Sequence, residues 1–313
     1  MLTNLRSLLN YIPMNLQDTE LYCRNRRYER FKTEGAYIYR VKAHSLMHRI
    51  LIRLLRISRL FEHRKLIIVD DKRKKNNKRP IIFASTHIGG ADIETAFEAI
   101  KTPCWLLLGD PRDIYRNFTG FLLDLNGVIC FDTLHKQDRI IAKERMANLI
   151  RKRGNILMYP EGAWNIFPEI LVMHLYAGAV RLAIECGALI VPLAILRDKN
   201  QYYVSIGEEI DYAGCSVEES VPLTNLLRDI MATMKWNLME IAPSINHENL
   251  SDAYYKAFLN EIFADQSTTY SIQDVYDTIF VPNNHVPYEE VFEHLTELSI
   301  SRDNAFLLNK RLH

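Results

Sequence analysis

The stretch IIFASTHIGGAD at residues 81–92 decides the fold. Its first five residues are apolar or small without interruption, which is typical of a strand buried on both faces of a sheet. The Gly-Gly pair at 89–90 predicts a tight turn, and a helical pattern follows it. This unit predicts an α/β layer fold in which polar residues lie at the C-terminal end of a strand.

The same alternation of apolar runs and helical segments extends from about residue 66 to residue 206. The apolar runs are LIIV (66–69), IIFAS (81–85), CWLLL (104–108), GVICF (127–131), NILMY (155–159), ALIVPLAIL (188–196) and YYVSI (202–206). Helices are predicted between them, near 92–100, 137–153 and 175–186. We therefore predict a largely parallel or mixed sheet flanked by helices.

Length and composition allow one large or two small domains. The chain has 313 residues, 48% of them hydrophobic, which is enough for a real core and excludes a disordered or disulfide-stapled protein. After about residue 215 the strand pattern gives way to predicted helices at 220–241, 249–264, 271–279 and 287–298. We predict three segments: a basic helical arm (1–65), an α/β core (66–215) and an acidic helical extension (216–313).

The five cysteines are far apart in the sequence and form no C-x-x-C pair. Zinc therefore has no framework, and we expect no metal and no bound cofactor. Isolated cysteines of this kind behave as small core hydrophobes, which favours reduced thiols in a cytoplasmic compartment.

The N-terminal part of the chain is strongly basic. Residues 1–80 hold 20 lysines and arginines against 7 acidic residues. Within them, residues 41–62 predict an amphipathic helix. One helical face carries Arg49, Arg53, Arg56 and Arg59, and another carries Leu46, Ile50, Leu54, Ile57 and Phe61, widened by Leu51, Leu55 and Leu60.

This predicted helix has two interpretations. Each arginine costs about 2.5–3.5 kcal/mol at a bilayer centre, so the helix cannot span a membrane. It suits the interface of an anionic membrane, with the chain peripheral on the inner face. The alternative is an ordinary packing helix with a solvated basic face. No signal peptide is expected at the N-terminus, and no nucleic-acid motif is present.

The turn after the first quoted strand carries a candidate catalytic pair. His87 and Asp92 are five positions apart across Gly89-Gly90, so a turn can bring the carboxylate onto the imidazole. The carboxylate would then fix the tautomer of the ring, and its other nitrogen could act as a general base. The spacing alone is weak, since the sequence holds a second His-x4-Asp pair at 247–252.

Four blocks in a fixed order make the pair more specific. They are HIGGAD (87–92), NGVICFDT (126–133), YPEGAWN (159–165) and IVPLAI (190–195). Together they resemble the glycerol-phosphate and lysophospholipid acyltransferase superfamily, whose blocks are H-x4-D, G-x-x-F-I-x-R, F-P-E-G-T-R and V-P-V/L. The resemblance covers about residues 80–207.

The resemblance implies an α/β enzyme that moves a fatty acyl group from acyl-CoA or acyl carrier protein to an acceptor hydroxyl. It implies that His87 is the general base and that Asp92 orients it. It places Glu161 and Gly162 in the acceptor site, and Pro192 in a structural strand beside it.

Departures from the family pattern bear on the acceptor. The arginines that the family uses for a phosphate are replaced by Thr133 and Trp164, and Thr86 and Ala163 differ as well. Losing two charge-assisted contacts of roughly 1.5–3 kcal/mol each argues against a glycerol phosphate. Trp164 and Asn165 would suit a neutral lipid, a glycolipid or a cationic head group instead.

The phosphate acceptor stays open as an alternative. Arg112, Arg116, Lys136 and Arg139 lie near the blocks and could bind a phosphate from new positions, as in a 1-acylglycerol-3-phosphate acyltransferase. Two further hypotheses remain: an acyl-thioester hydrolase, in which water replaces the acceptor, and a catalytically silent module that binds membrane or acyl carrier.

Overall fold

The computed structural model describes residues 41–74, 78–109, 126–133, 135–167, 170–242, 252–263 and 270–283, together with positions 21, 25 and 123. The chain divides into two compact units, residues 1–280 and 281–313, and the helices and strands given below lie in the first.

Seven helices and eight strands occur in the described residues. The helices are α1 (Val41–Phe61), α2 (Asp92–Ile100), α3 (Lys136–Arg151), α4 (Gly178–Cys186), α5 (Ser220–Ile241), α6 (Asp252–Ile262) and α7 (Ile272–Thr278). The strands are β1 (Lys65–Asp71), β2 (Ile81–Ser85), β3 (Cys104–Leu108), β4 (Val128–Cys130), β5 (Asn155–Met158), β6 (Leu189–Asp198), β7 (Gln201–Ile206) and β8 (Ile210–Asp211).

The strands form one mixed sheet, in the order β1-β7-β6-β2-β5-β3-β4, with β8 paired to β6. The five strands from β6 to β4 are mutually parallel. Strand β7 is antiparallel to β6, and β1 is parallel to β7. The predicted α/β fold with a largely parallel or mixed sheet is therefore confirmed.

Strand β2 lies near the middle of the sheet because both of its faces are apolar. Ile82 and Ala84 point into a core with α3, α4 and α5. Ile81 and Phe83 point into a core with α1 and α2 on the other face. This alternation buries all five residues of the strand, and it fixes the position of the loop that follows β2.

Helix α1 packs on the body along one side only. Leu51, Ile52 and Leu55 are buried, whereas Leu60 and Phe61 are 67% and 81% exposed. The exposed side chains also include Leu46, Ile50, Leu54 and Ile57. In the part of the chain that is described, no helix is both long and apolar enough to cross a bilayer.

The predicted elements and the observed ones differ mainly at their ends. The helix predicted near 175–186 begins at Gly178, and the one predicted at 249–264 spans Asp252–Ile262. The helix predicted at 287–298 lies outside the described residues. The domain boundaries predicted at 65/66 and 215/216 stay a prediction.

Candidate active site

The C-terminal ends of β2 and β5 lie side by side and bring two of the predicted blocks together. The strands are parallel neighbours with Ala84 opposite Met158. Chain direction therefore places the HIGGAD turn and the Pro-Glu-Gly turn at the same edge of the sheet. This is the edge at which ligand sites of parallel α/β sheets form.

The predicted pair of His87 and Asp92 is assembled. His87 Nδ1 lies 2.8 Å from Asp92 Oδ2, and the two side chains are 14% and 1% exposed. The same oxygen accepts the backbone N–H groups of Ile88 at 2.9 Å and Gly89 at 3.0 Å. Three donors on one oxygen fix the carboxylate, which in turn fixes the ring.

Glu161 does not extend into a cleft but is fully buried under the histidine. Its Oε1 accepts the backbone N–H of His87 at 2.8 Å, and its Oε2 accepts the backbone N–H of Met173 at 2.8 Å. Both carboxylate oxygens are thus occupied by backbone donors. The side chain joins the turn after β2 to the segment before α4.

Asn165 reinforces the same joint from the other side. Its backbone N–H donates to the carbonyl oxygen of His87 at 2.6 Å. Its side-chain amide donates to the carbonyl of Ile170 at 2.8 Å and accepts the N–H of Phe167 at 3.2 Å. The backbone of His87 is therefore held on both sides, and the amide is engaged inside its own loop.

Helix α5 supplies two residues to the site that the sequence did not indicate. Arg228 donates from Nε to the carbonyls of Val172 and Met173 at 2.9 and 3.0 Å. Lys235 is buried near Glu161. Burial raises the pKa of Glu161 and lowers that of Lys235, and each charge opposes the shift of the other.

Trp164 lies between the histidine and the C-terminal helices. Its ring meets His87 edge-on at a centroid distance of 6.3 Å. A Cβ on Gly89, whose φ is +75°, would lie 3.0 Å from Trp164 Cδ2. A side chain at position 89 would be strained by the positive φ and would crowd the indole. Glycine therefore permits the close approach of Trp164 to this turn.

Gly162 lies under the ring of Tyr176. A Cβ at this position would be 2.5 Å from Tyr176 Cε2, and φ is +76°. The backbone N–H of Tyr176 donates to the carbonyl of Pro160 at 2.8 Å. The glycine of the Pro-Glu-Gly turn thus allows a tyrosine to cover it.

Three residues that the sequence suggested lie away from this centre or outside the described residues. Thr133 follows β4, which is two strands away from β5, and its carbonyl accepts Arg139 Nη1 at 2.5 Å. Arg112 and Arg116 lie outside the described residues. The substrate-binding roles predicted for Thr133, Arg112, Glu161, Gly162, Trp164 and Asn165 stay predictions.

Among the relocated cations that the sequence suggested, Lys136 and Arg139 are exposed at the start of α3. Burial raises the pKa of Tyr176, and the charge of Arg139 opposes that shift. Arg139 is therefore within electrostatic reach of the tyrosine that covers Gly162.

Two titratable groups near the pair were not indicated by the sequence. The ring of Tyr159 stacks on His87 at 4.2 Å, and within the described residues its buried hydroxyl has no hydrogen-bond partner. Burial raises the pKa of Tyr159 well above its usual range. Burial also raises the pKa of Glu94, in the first turn of α2, to about 7.

Fold and site together define a class of protein. A histidine whose Nδ1 is bonded to a carboxylate has its Nε2 free to take a proton, and it lies where α/β enzymes bind substrate. Residues 66–196 match the family model named Acyltransferase. This segment of the chain is similar to that family, as the resemblance predicted, and the match supports an acyltransferase.

The fold is similar to a solved enzyme structure. It matches the crystal structure of the 1-acyl-sn-glycerophosphate acyltransferase PlsC from Thermotoga maritima with a TM-score of 0.52 and 14% sequence identity. The match covers 70% of this chain and 90% of that chain. At this identity the likeness concerns the fold. No curated protein sequence matches the chain significantly.

Proposed function

We propose that the protein transfers a fatty acyl group from acyl-CoA or an acyl carrier protein to a hydroxyl or amine of a lipid or glycolipid acceptor. The observation that carries this proposal is the bond between His87 Nδ1 and Asp92 Oδ2. An ionised carboxylate only accepts hydrogen bonds, so Nδ1 carries the proton and Nε2 is left as the base.

The reaction follows from this tautomer. His87 Nε2 removes the acceptor proton while the acceptor oxygen or nitrogen attacks the thioester carbonyl. The tetrahedral intermediate collapses, the C–S bond breaks, and the imidazolium returns the proton to the leaving thiolate. General base catalysis of this kind contributes about 10²–10⁴-fold, and Asp92 stabilises the imidazolium in the meantime.

Glu161 and Asn165 are assigned a positioning role in this mechanism. Both bind the backbone of His87, through its N–H and its carbonyl respectively. Because their own polar atoms are used within the fold, we do not assign them to substrate.

The environment of the third block supports an acceptor without a phosphate. Where the related enzymes carry threonine and arginine, this chain has Ala163, which is buried, and Trp164, which packs among aromatic rings. An uncharged surface of this kind suits a neutral or apolar group better than a dianion. Arg139 favours the alternative, a phosphate acceptor, because its charge acts on the tyrosine that covers Gly162.

The test is acyl transfer by the purified full chain. Palmitoyl-CoA is supplied with monoacylglycerol or with 1-acyl-glycerol-3-phosphate, and labelled acyl products are separated from free acid. We expect transfer to monoacylglycerol that falls about 10²–10⁴-fold in His87→Ala. Free acid without acylated acceptor would instead identify a thioester hydrolase, and full activity of His87→Ala would exclude the proposed base.

We also propose that the protein is peripheral on an anionic membrane surface, on the cytoplasmic side. The exposed apolar side chains of α1, next to exposed arginines on the same helix, support this arrangement.

A further inference from the structure

The C-terminal helices α6 and α7 pack directly on the candidate active site. Trp164 meets His87 on one side, and its ring lies 5.3 Å from that of Phe263 and 4.9 Å from that of Tyr270. The indole is therefore the link between the catalytic ring and the C-terminal segment. Phe263 directly follows α6, and Tyr270 precedes α7.

Helix α6 also reaches the catalytic turn itself. The Cγ2 of Ile262 would lie 3.1 Å from a Cβ on Gly89, and Ile262 is almost fully buried. The turn that carries His87 and Asp92 thus packs against a residue about 170 positions later in the chain. A helix that only covered the outer surface of the core would not contact this turn.

Helix α7 is fixed to the Pro-Glu-Gly turn by Tyr176. The hydroxyl of Tyr176 donates to the carbonyl of Thr278 at 3.4 Å, and its ring lies 4.5 Å from that of Phe280. The same ring covers Gly162. Both helices are therefore held against the third block.

Three aromatic rings, those of Trp164, Phe263 and Tyr270, form what we call the aromatic wall. All three are partly exposed rather than fully buried. The Tyr270 hydroxyl is bonded to Thr278 Oγ1 at 2.8 Å, which fixes that ring. Rigid, uncharged aromatic faces beside a catalytic base suit an apolar or neutral group of a ligand.

We propose that the aromatic wall is an acceptor subsite that binds the uncharged, apolar body of the acceptor and places its hydroxyl at His87. This inference rests on the proposed function and names the part of the chain that selects the acceptor. The family match ends at residue 196, so two of the three rings come from outside it.

The experiment compares Phe263→Ala with wild type, using palmitoyl-CoA and monoacylglycerol. Losing one packed ring from the subsite is expected to raise the KM for monoacylglycerol about tenfold. The KM for palmitoyl-CoA should stay within about twofold, because the proposal assigns the aromatic wall to the acceptor and not to the donor. Phe263→Leu, which keeps an apolar contact, should lie between the two.

Ile272→Ala is the matched control, because Ile272 is an exposed apolar residue of α7 outside the cluster around Trp164. Thermal unfolding of each variant shows whether the helices still pack. An unchanged KM for monoacylglycerol in a folded Phe263→Ala variant would overturn the subsite. So would a rise in the KM for palmitoyl-CoA instead.

The outcomes separate the two proposals. If His87→Ala is inactive while Phe263→Ala behaves like wild type, the base is supported and the subsite is rejected. If wild type transfers acyl groups to 1-acyl-glycerol-3-phosphate and none to monoacylglycerol, the aromatic wall is also rejected as the acceptor subsite. If wild type releases only free acid, the proposed function fails irrespective of Phe263.

Discussion

The Glu161 carboxylate and the His87 backbone are joined by a hydrogen bond of 2.8 Å, with the N–H of residue 87 as donor. The carboxylate is completely buried, and its second oxygen is bonded to Met173. Both oxygens of the glutamate in the Pro-Glu-Gly turn are therefore occupied by backbone N–H groups, one of which is that of the candidate base. Positioning of this kind has consequences that can be measured.

Glu161→Gln should lower kcat with little change in KM. A carboxamide has one acceptor and one donor end, so it cannot accept both backbone N–H groups. Losing a hydrogen bond to a charged group costs about 1.5–3 kcal/mol, equivalent to about 10–100-fold in rate if it is expressed in the transition state. Steady-state kinetics measure the change in kcat, and Glu218→Gln, at an exposed glutamate, is the control. A change in KM alone would contradict the positioning role.

Lys235→Met should destabilise the fold by about 3 kcal/mol, because it leaves the Glu161 carboxylate buried without a nearby cation. In the double variant with Glu161→Gln the charge to be compensated is gone. The two changes should therefore cost less together than the sum of their separate costs. Urea unfolding of the four proteins gives the coupling, and strict additivity would mean that the two charges do not interact.

Tyr159→Phe should leave activity within about twofold and raise the free energy of unfolding by about 1 kcal/mol. The hydroxyl is buried with no partner among the described residues, so removing it removes a desolvation cost. The ring, which stacks on His87, is retained. Denaturant unfolding and kinetics measure the two effects; a large loss of kcat would assign the hydroxyl to the chemistry.

The local parts of this structure could be predicted from the sequence. The buried strands are continuous apolar runs, and the His87–Asp92 contact needs only a five-residue turn closed by Gly89 and Gly90. The closeness of His87 to the Pro-Glu-Gly turn could be inferred, because the C-terminal ends of parallel strands lie at the same edge of a sheet. In each case the pattern and the contact lie within one element or between sheet neighbours.

The long-range supports could not be predicted in the same way. Arg228 and Lys235 are polar residues of an ordinary-looking helix, and Ile262 is one apolar residue among many. Nothing in their local sequence distinguishes a solvated or packing residue from one that contacts the site. Their roles depend on which face of α5 or α6 meets the body, and tertiary packing determines that.

Acidification should loosen the attachment of α1 to the body. Burial lowers the pKa of His44 to about 3, with the nearby His48 adding to the shift, and the His44 ring stacks on Trp105 at 3.5 Å. In the unfolded chain His44 binds a proton near pH 6.5, whereas in the folded chain it stays neutral down to about pH 3. The contribution of neutral His44 to the free energy of unfolding is therefore fully present above about pH 6.5. It is lost as the pH falls from there toward 3.

The loss attributable to His44 is about 2 kcal/mol between about pH 7 and about pH 5. The variant His44→Phe keeps an aromatic ring on Trp105 and should flatten the pH dependence by this amount. Urea unfolding at the two pH values measures it, and His63→Gln, at an exposed histidine, is the control. An unaltered slope in His44→Phe would show that the ring is protonated in the folded state.

Binding to anionic vesicles should depend on the exposed arginines of α1. Arg59 is bonded to Glu98 at 3.0 Å, whereas Arg49, Arg53 and Arg56 are exposed. At about 1 kcal/mol per cation near an anionic surface, replacing all three by glutamine should weaken binding by about two orders of magnitude. Co-sedimentation with phosphatidylserine-containing vesicles measures the effect, which should shrink as salt rises because surface charges are screened.

The exposed cation Arg151 on α3 provides the control, since Arg151→Gln should bind like wild type. If the triple variant binds as well as wild type, or if binding is insensitive to salt, α1 is an ordinary packing helix.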